Sequence, residues 1–256
     1  MDSTQRFSNR VADYVQFRPT YPEAVFDTLV ALLPVELPRS AADIGSGTGI
    51  FSRGLLARGF EVYAVEPNAE MRAQAEAGLA SNPRFCSRSA RAEATQLPDR
   101  CVSLIVAAQA FHWFDRAQCR SEWQRLLLPG GIVGLVWNQR RLGSAFMQAY
   151  EDVMQRLPEY DQISRSQRDQ AAVADLFGAG RFETLEYPNH QSFDWAGLRG
   201  RVLSSSYAPQ AGDPGHERLM TALERCFFSH ERAGNVQFDY VTRLHVGRLE
   251  QRTPAA

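Results

Sequence analysis

The stretch Ala41-Ala42-Asp43-Ile44-Gly45-Ser46-Gly47-Thr48-Gly49-Ile50-Phe51 predicts a buried strand that turns through glycines into a helix. In such a turn Gly45 permits the tight bend, and Gly47 lets a ligand approach the backbone without a Cβ in the way. Gly49 would allow the helix and the strand to pack closely. A strand, a glycine turn and a helix in this order are typical of nucleotide-binding α/β folds.

A second predicted strand, residues 61–66, ends in a carboxylate at Glu66, nineteen positions after Gly47. An acidic residue about 20 positions after the turn suits the two hydroxyls of a ribose. The dinucleotide fingerprint needs glycine at position 50, where this chain has Ile50, so a pyrophosphate ligand and a nicotinamide oxidoreductase are disfavoured. A P-loop needs a lysine after its glycines, and all 28 basic residues of this chain are arginine.

The motifs downstream of the turn resemble those of class I S-adenosylmethionine-dependent methyltransferases. In chain order they are "DIGSGTG", "AVEPNAEM", "ARAEATQLPD", "AAQAFHWF" and "LLLPGGIVGLVWN". Within that family the chain is most similar to the small-molecule methyltransferase type 11 group, which includes enzymes similar to trans-aconitate methyltransferase. The resemblance covers roughly residues 7–138 with ordered motifs, and it is their order that makes it specific.

This resemblance implies a fold, an activity and a set of cofactor contacts. The fold is α/β: a doubly wound, Rossmann-like, mostly parallel sheet of seven strands with an antiparallel last strand and a helical cap. The implied enzyme transfers a methyl group from S-adenosylmethionine to a small molecule and leaves S-adenosylhomocysteine. The cofactor-binding positions that match the family are Asp43, Gly45, Ser46, Gly47, Glu66, Pro67, Ala92, Glu93 and Gln109. Glu93 has a simpler alternative as a solvated loop carboxylate.

We expect a single domain over residues 1–256. Alternating strand and helix patterns predict a cofactor-binding core at residues 22–138, preceded by a lid arm at 1–21. Helical stripes around 146–157, 171–177 and 195–205 predict a cap, so residues 139–234 are assigned to the cap and strand six. Alternation of apolar and polar residues predicts a terminal antiparallel strand within 235–250.

Composition limits the partners. A net charge of −1 gives no global basic field, which argues against nucleic acid as a substrate. No run of about 18 apolar residues is present and the amino terminus lacks a signal-peptide core, so we expect a cytoplasmic protein without a membrane partner. The four cysteines are scattered, which predicts reduced thiols and no metal site. We expect a monomer or a homodimer.

The segment Gln109-Ala110-Phe111-His112-Trp113-Phe114 places aromatic rings and one imidazole at the expected mouth of the site. His112 could remove a proton from the acceptor, because the ordinary pKa of histidine is about 6.5. It could equally contact the acceptor or serve the fold, and the aromatic rings, Trp113 among them, could line the substrate or belong to the core.

The amino-terminal run "DYVQFRPTYP" predicts a fixed loop, because a residue before proline avoids the helical conformation. In the family that it resembles, this arm covers the cofactor. That resemblance places Tyr14, Arg18 and Tyr21 near the cofactor carboxylate or the acceptor, although Arg18 could instead form a surface ion pair. Four residues of the predicted cap region are weaker candidates without a spacing argument: Arg140, Arg141, Tyr207 and His216.

The leading hypothesis is therefore a methyltransferase, and arginines near the predicted site favour an anionic acceptor such as a carboxylate. A natural-product O-, N- or S-methyltransferase is the alternative within the same class. A protein that binds the cofactor or its demethylated product without catalysis would carry the same Asp43, glycine turn and Glu66.

Overall fold

A seven-stranded sheet forms the centre of the molecule. The computed structural model describes residues 17–157, 160, 170–178, 181–205 and 207–249. The strands are β1 (Ser40–Ile44), β2 (Glu61–Val65), β3 (Phe85–Arg88), β4 (Val102–Ala108), β5 (Leu127–Arg140), β6 (Phe182–Phe193) and β7 (Val236–Gly247). The helices are α1 (Glu23–Leu32), α2 (Ile50–Ala57), α3 (Ala69–Leu79), α4 (Arg116–Leu126), α5 (Ala145–Met154), α6 (Gln170–Phe177), α7 (Trp195–Leu203) and α8 (His216–His230).

The strand order is β3-β2-β1-β4-β5-β7-β6. The first five strands pair in parallel, whereas β7 is antiparallel to both β5 and β6. The predicted fold class is confirmed, including the antiparallel last strand beside β5. The order reverses between β1 and β4, and in open α/β sheets ligands bind at that switch, beyond the carboxyl ends of the strands.

Local sequence signals set the starts of two helices. The Asn68 side chain accepts a 2.9 Å hydrogen bond from the Met71 N–H at the start of α3, and Asp115 accepts one of 3.0 Å from Gln118 at the start of α4. Both satisfy backbone donors that a helix leaves open at its first turn. These two side-chain caps fix where the helices after β2 and β4 begin.

Hydrophobic residues fill both faces of the sheet and a separate space under the cap. One cluster gathers around Trp123 and Phe111, and a second gathers around Phe26, Phe51 and Leu55. All five residues of β1 are buried, as expected for a central parallel strand. The third cluster joins α5, α7, α8 and β7, so the cap has a core of its own. Within the described residues no helix is long and apolar enough to cross a membrane.

Two elements were not placed by the sequence. One is the edge strand β6, which carries Pro188 and is largely exposed along one face; its apolar pattern is weak because an edge strand is covered on one side only. The other is α8, which begins after Gly215 in the left-handed conformation (φ 90°) without a side-chain cap. The start signals used elsewhere in the chain are absent there.

Candidate active site

A pocket lies beyond the carboxyl ends of β1, β2 and β4, at the switch in strand order. Its empty volume is about 790 Å³, including space open to solvent. It is lined by Gly45, Gly47, Glu66, Pro67, Asn68, Met71, Arg91, Ala92, Glu93, Ala108, Gln109, Ala110, Trp113 and Phe114. The structure thus gathers residues that follow four different strands, β1 to β4, into one pocket.

The three glycines of the turn have positive φ angles of 69°, 56° and 79° for Gly45, Gly47 and Gly49. A Cβ on Gly45 would lie 2.6 Å from the Cβ of Ala110, so this position is closed by packing. A Cβ on Gly47 would meet nothing within 4 Å and would extend into open space. Gly49 lies against α3, because a Cβ on this residue would be 2.7 Å from Leu79 Cδ1. The sequence predicts close packing of a helix against the strand at this position, whereas the close contact is between the turn and α3.

Glu66 is held by backbone donors on two sides. The Gly47 N–H donates a 2.9 Å hydrogen bond to Oε2, and the Asn68 N–H donates a 2.8 Å bond to Oε1. Burial raises the pKa of this carboxyl, and the two backbone bonds act against that rise. Each oxygen keeps a further lone pair for an outside donor. The carboxylate is therefore fixed in position on the pocket wall before any ligand arrives.

Asp43 lies beneath the turn and does not line the pocket. It is fully buried, and its Oδ2 accepts a 2.6 Å hydrogen bond from the Ser52 hydroxyl on α2. Its Oδ1 has no hydrogen-bond partner among the described residues. Burial raises the pKa of Asp43 to about 7. The end of β1 directs this side chain into the space under α2, and its predicted contact with the cofactor stays a prediction. Ser46 also lies outside the pocket lining.

The segment after β3 forms a second wall with Ala92, Glu93 and Arg91. Glu93 Oε1 accepts a 2.9 Å hydrogen bond from the Asp115 N–H, and its Oε2 lies 3.6 Å from Arg91 Nε. Glu93 therefore reaches the pocket and also ties this loop to the start of α4. With 15% of its side chain exposed, Glu93 is not a freely solvated loop carboxylate, and its contact with the cofactor stays a prediction.

Gln109 directly follows β4 and has an uncommon backbone conformation, with φ 60°. Left-handed backbone is strained for a residue with a side chain, and such strain persists where surrounding contacts enforce it. Here the Gln109 N–H donates to Val136 O at 2.8 Å, and its Nε2 donates to Asn138 O at 3.3 Å. The conformation turns the chain across the pocket mouth, so that Ala110 packs against Gly45 and Trp113 reaches the pocket wall.

His112 lies in a short 3-10 turn, Phe111–Trp113, next to the Trp113 ring at 4.7 Å. Its side chain is half-buried, yet both ring nitrogens are buried and have no hydrogen-bond partner among the described residues. Burial lowers the pKa of His112 to about 4. A proton acceptor with so low a pKa is a poor general base at neutral pH, and the role of His112 as a base or an acceptor contact stays a prediction. His112 does not line the pocket itself, whereas Trp113 does.

The arm residues contact the cap and α2 and do not line this pocket. Arg18 Nη2 donates a 2.9 Å hydrogen bond to Ser204 O, just after α7. The Tyr21 ring packs edge-on against Phe51 of α2 at 4.9 Å. Tyr14 lies outside the described residues. Their predicted contacts with a cofactor or an acceptor stay predictions.

Two of the four weaker candidates, Arg140 and Tyr207, contact each other. Arg140 contacts the hydroxyl of Tyr207 at 3.4 Å in the cap core. Arg141 is exposed, and His216 Nδ1 bonds to Pro209 O at 3.0 Å at the start of α8. The structure thus brings Arg140 and Tyr207 together and gives His216 a local structural contact.

Sequence reasoning missed several residues of the pocket and the cap. Asn68, Met71 and Arg91 line the pocket but were not among the predicted cofactor contacts. Tyr150 and Arg201 of the cap core also carried no recognisable motif. Asn68, Met71 and Arg91 reach the pocket because of where the start of α3 and the loop after β3 lie in the fold. Their role therefore depends on tertiary structure and not on a local motif.

Comparisons with known proteins agree with this geometry. A family model described as a methyltransferase domain matches residues 42–135. An uncharacterised methyltransferase of Mycobacterium tuberculosis is 40% identical over 244 residues, 94% of both chains. A solved structure from Anaeromyxobacter dehalogenans, described as a candidate type II methyltransferase, has 27% identity and a TM-score of 0.66, and the match covers 91% of this chain and 98% of that one. The malonyl-[acyl-carrier protein] O-methyltransferase of Pectobacterium atrosepticum is 32% identical over 108 residues, 42% of each chain.

Proposed function

This chain belongs to the class I S-adenosylmethionine-dependent methyltransferases, and on that premise we propose that it methylates a carboxylate of a small-molecule acceptor. Methyltransferase membership rests on the relative that is 40% identical over 94% of the chain and on the matching domain model. The acceptor class is our own inference and rests on the charge states of the residues described below.

The residues of the pocket fit S-adenosylmethionine. The observation that carries the cofactor assignment is the pairing of Gly47 and Glu66: an open backbone position stands next to a carboxylate that two backbone N–H groups already orient. The free lone pairs of Glu66 suit the two hydroxyls of a ribose, and charge-assisted bonds of this kind are worth about 1.5–3 kcal/mol each. Ala92 and Met71 offer apolar surface on the same wall for a base.

When bound, S-adenosylmethionine supplies an electrophilic methyl group on a sulfonium. The chain's own contribution is to align an acceptor with that group and to keep water out, which can supply about 7–11 kcal/mol of the barrier. Trp113 and Phe114 give the pocket mouth an apolar wall, and the strained Gln109 backbone sets their position. Trp113, Phe114 and Gln109 therefore serve to orient the acceptor and to exclude water.

A carboxylate acceptor agrees with the state of His112. A carboxylate oxygen is already deprotonated at neutral pH and can bond to the methyl carbon while the carbon–sulfur bond breaks with its electron pair on sulfur. No proton has to be removed, so no general base is required. His112, whose pKa is lowered to about 4 by burial, is neutral at pH 7 and can act as a hydrogen-bonding contact. The Pectobacterium relative is named as an O-methyltransferase of a malonyl group, which supports the same acceptor chemistry.

The test is transfer of a radiolabelled methyl group from S-adenosylmethionine to a panel of carboxylic acids, each paired with its primary amide. We expect label in the acids and none in the amides, and the product should release methanol in mild alkali, as methyl esters do. An alkali-stable product would show methylation of a hydroxyl oxygen, nitrogen, sulfur or carbon and refute the carboxylate assignment. Glu66→Ala is the control that should lose the transfer without loss of the fold.

A further inference from the structure

Two arginines lie in the core of the cap: Arg201 is buried, and Arg140 is largely buried, with 13% of its side chain exposed. Arg140 ends β5, and Arg201 lies on α7 with 6% of its surface exposed. Their guanidinium groups stand 5.6 Å from the ring centres of Tyr150 and Phe238 respectively. Burying a cation is costly unless an anion pairs with it. The charged and hydrogen-bonding partners of the two guanidinium groups therefore indicate whether a negative charge is missing from this cluster.

Anionic partners are too few for the cations. Arg140 has one carboxylate, Glu151, whose Oε2 lies 3.8 Å from Arg140 Nε. Both oxygens of that carboxylate also accept from the Tyr160 hydroxyl at 2.6 Å. Arg201 donates to neutral groups: Tyr240 OH at 3.0 Å and Ser205 Oγ at 3.1 Å. Across the described part of the chain, no carboxylate pairs with Arg201.

A hydroxyl in the same place is also unsatisfied. The Tyr150 side chain is fully buried, and its OH has no hydrogen-bond partner within the described residues. Buried hydroxyls are normally bonded, so an orphan among cations points to a missing acceptor. The pKa of the Tyr207 hydroxyl is consistent with this excess of positive charge: burial raises it, but Arg140, Arg201, a hydrogen bond with Ser205 and Arg18 together lower it.

The cluster adjoins the methyl-transfer pocket. Gln109 lines that pocket, and its side chain donates to the carbonyl of Asn138 on β5. Arg140 follows two positions later on the same strand, about 7 Å further along. Side chains two positions apart on a strand point to the same face, so Asn138 and Arg140 lie on the same side of β5.

We propose that Arg140, Arg201 and Tyr150 form a subsite for a second carboxylate of the acceptor, one that is not methylated. The acceptor is then a small dicarboxylic acid: one carboxylate lies at the pocket mouth for transfer, and the other is held in the cap by two guanidinium groups and the Tyr150 hydroxyl. Arginine suits this role because its planar donors match a carboxylate in pairs. The inference deepens the proposed function and rests on it for the reacting end of the acceptor.

Calorimetry on the full chain tests the subsite with succinate as the probe and its uncharged diamide, succinamide, as the comparison. Titrations are made with and without S-adenosylhomocysteine, after a titration of that compound alone. We expect succinate to bind and succinamide not to bind. Tyr150→Phe should raise the succinate Kd by about tenfold, since it removes one hydrogen bond to a charged group. Arg201→Gln should raise it by about a hundredfold, while S-adenosylhomocysteine binding stays unchanged in both variants.

Arg199→Gln is the matched control, because it removes the same charge from the exposed side of α7 and should leave the succinate Kd unchanged. Tyr150→Phe decides the question even where Arg201→Gln does not fold, since its hydroxyl has no described partner to lose. Equal binding of succinate and succinamide, or an unchanged Kd in Tyr150→Phe, would overturn the subsite. Absence of S-adenosylhomocysteine binding in the wild type would instead contradict the proposed function and leave the succinate result standing by itself.

Discussion

The Gly47 N–H donates a 2.9 Å hydrogen bond to Oε2 of Glu66, a residue nineteen positions later in the chain. The glycine turn after β1 and the acidic end of β2 therefore form one unit. Because the parallel pairing of β1 with β2 sets their spacing, the carboxylate is oriented before a ligand binds. Preorganisation of this kind lowers the cost of ordering the site on binding.

Substitution of Glu66 tests this unit directly. We expect Glu66→Ala to weaken S-adenosylhomocysteine binding at least tenfold, because each charge-assisted hydrogen bond contributes about 1.5–3 kcal/mol. Glu66→Gln keeps one acceptor oxygen and should give an intermediate loss. Glu70→Ala removes an exposed carboxylate four positions later and serves as the control in the same calorimetric titration. An unchanged Kd in Glu66→Ala would remove this residue from the site.

Substitutions at two glycines of the turn should affect ligand binding and the free energy of unfolding differently. A Cβ at Gly47 extends into the pocket, so Gly47→Ala should abolish S-adenosylhomocysteine binding and lower stability only by the cost of left-handed backbone, about 1 kcal/mol. Gly45→Ala forces its Cβ against Ala110 and should destabilise the fold by about 1–3 kcal/mol.

Gly234→Ala gives the matched control for these variants. Gly234 has φ 80° and open space around its ideal Cβ, in a turn before β7. It should show the same backbone cost in thermal unfolding and normal ligand binding. If Gly47→Ala and Gly234→Ala bind S-adenosylhomocysteine equally well, the ligand does not approach the Gly47 backbone.

Much of the core could be predicted because its signals are local. The turn, the apolar run of β4 and the caps at Asn68 and Asp115 each depend on a few adjacent residues. The carboxyl ends of parallel strands meet at one edge of a sheet, so motifs after β1, β2 and β4 could be assigned to one pocket.

The remainder depends on tertiary position. Asp43 immediately precedes the glycine turn in sequence, but the strand directs its side chain under α2 toward Ser52. Arg201 and Tyr150 meet only because α5 and α7 pack over β7, and no spacing along the chain encodes that contact. Burial likewise decides the pKa of His112, which its residue type alone placed near neutral pH.

The buried carboxyl of Asp43 predicts a pH dependence of stability. Its pKa is about 7 in the folded chain and 3.8 when unperturbed, so the folded state binds the proton more tightly. The free energy of unfolding should therefore fall as pH rises from about 4 to about 7, by up to about 4 kcal/mol from this group. Asp43→Asn should remove this fall in urea-unfolding series at stepped pH.

Ser52→Ala tests the cause of that pKa. The Ser52 hydroxyl donates to Asp43 Oδ2 and lowers the pKa that burial raises. Without this bond the pKa should rise further, and the decline in stability should extend above pH 7. A decline that ends at the same pH in Ser52→Ala and in the wild type would contradict the assigned hydrogen bond.

His112 should contribute a slope of opposite sign. Its pKa falls from 6.5 to about 4 on folding because burial disfavours the imidazolium, so the unfolded chain binds more protons between these values. The contribution to stability is complete above pH 6.5 and is lost as pH falls toward 4, about 3 kcal/mol in total. His112→Gln keeps polar atoms but cannot titrate, and it should flatten this acidic limb in the same unfolding series.

In the wild type, the NMR signals that disappear in His112→Gln should keep neutral-imidazole shifts from pH 8 down to about pH 5. Titration of those signals near pH 6.5 would instead restore His112 as a candidate general base.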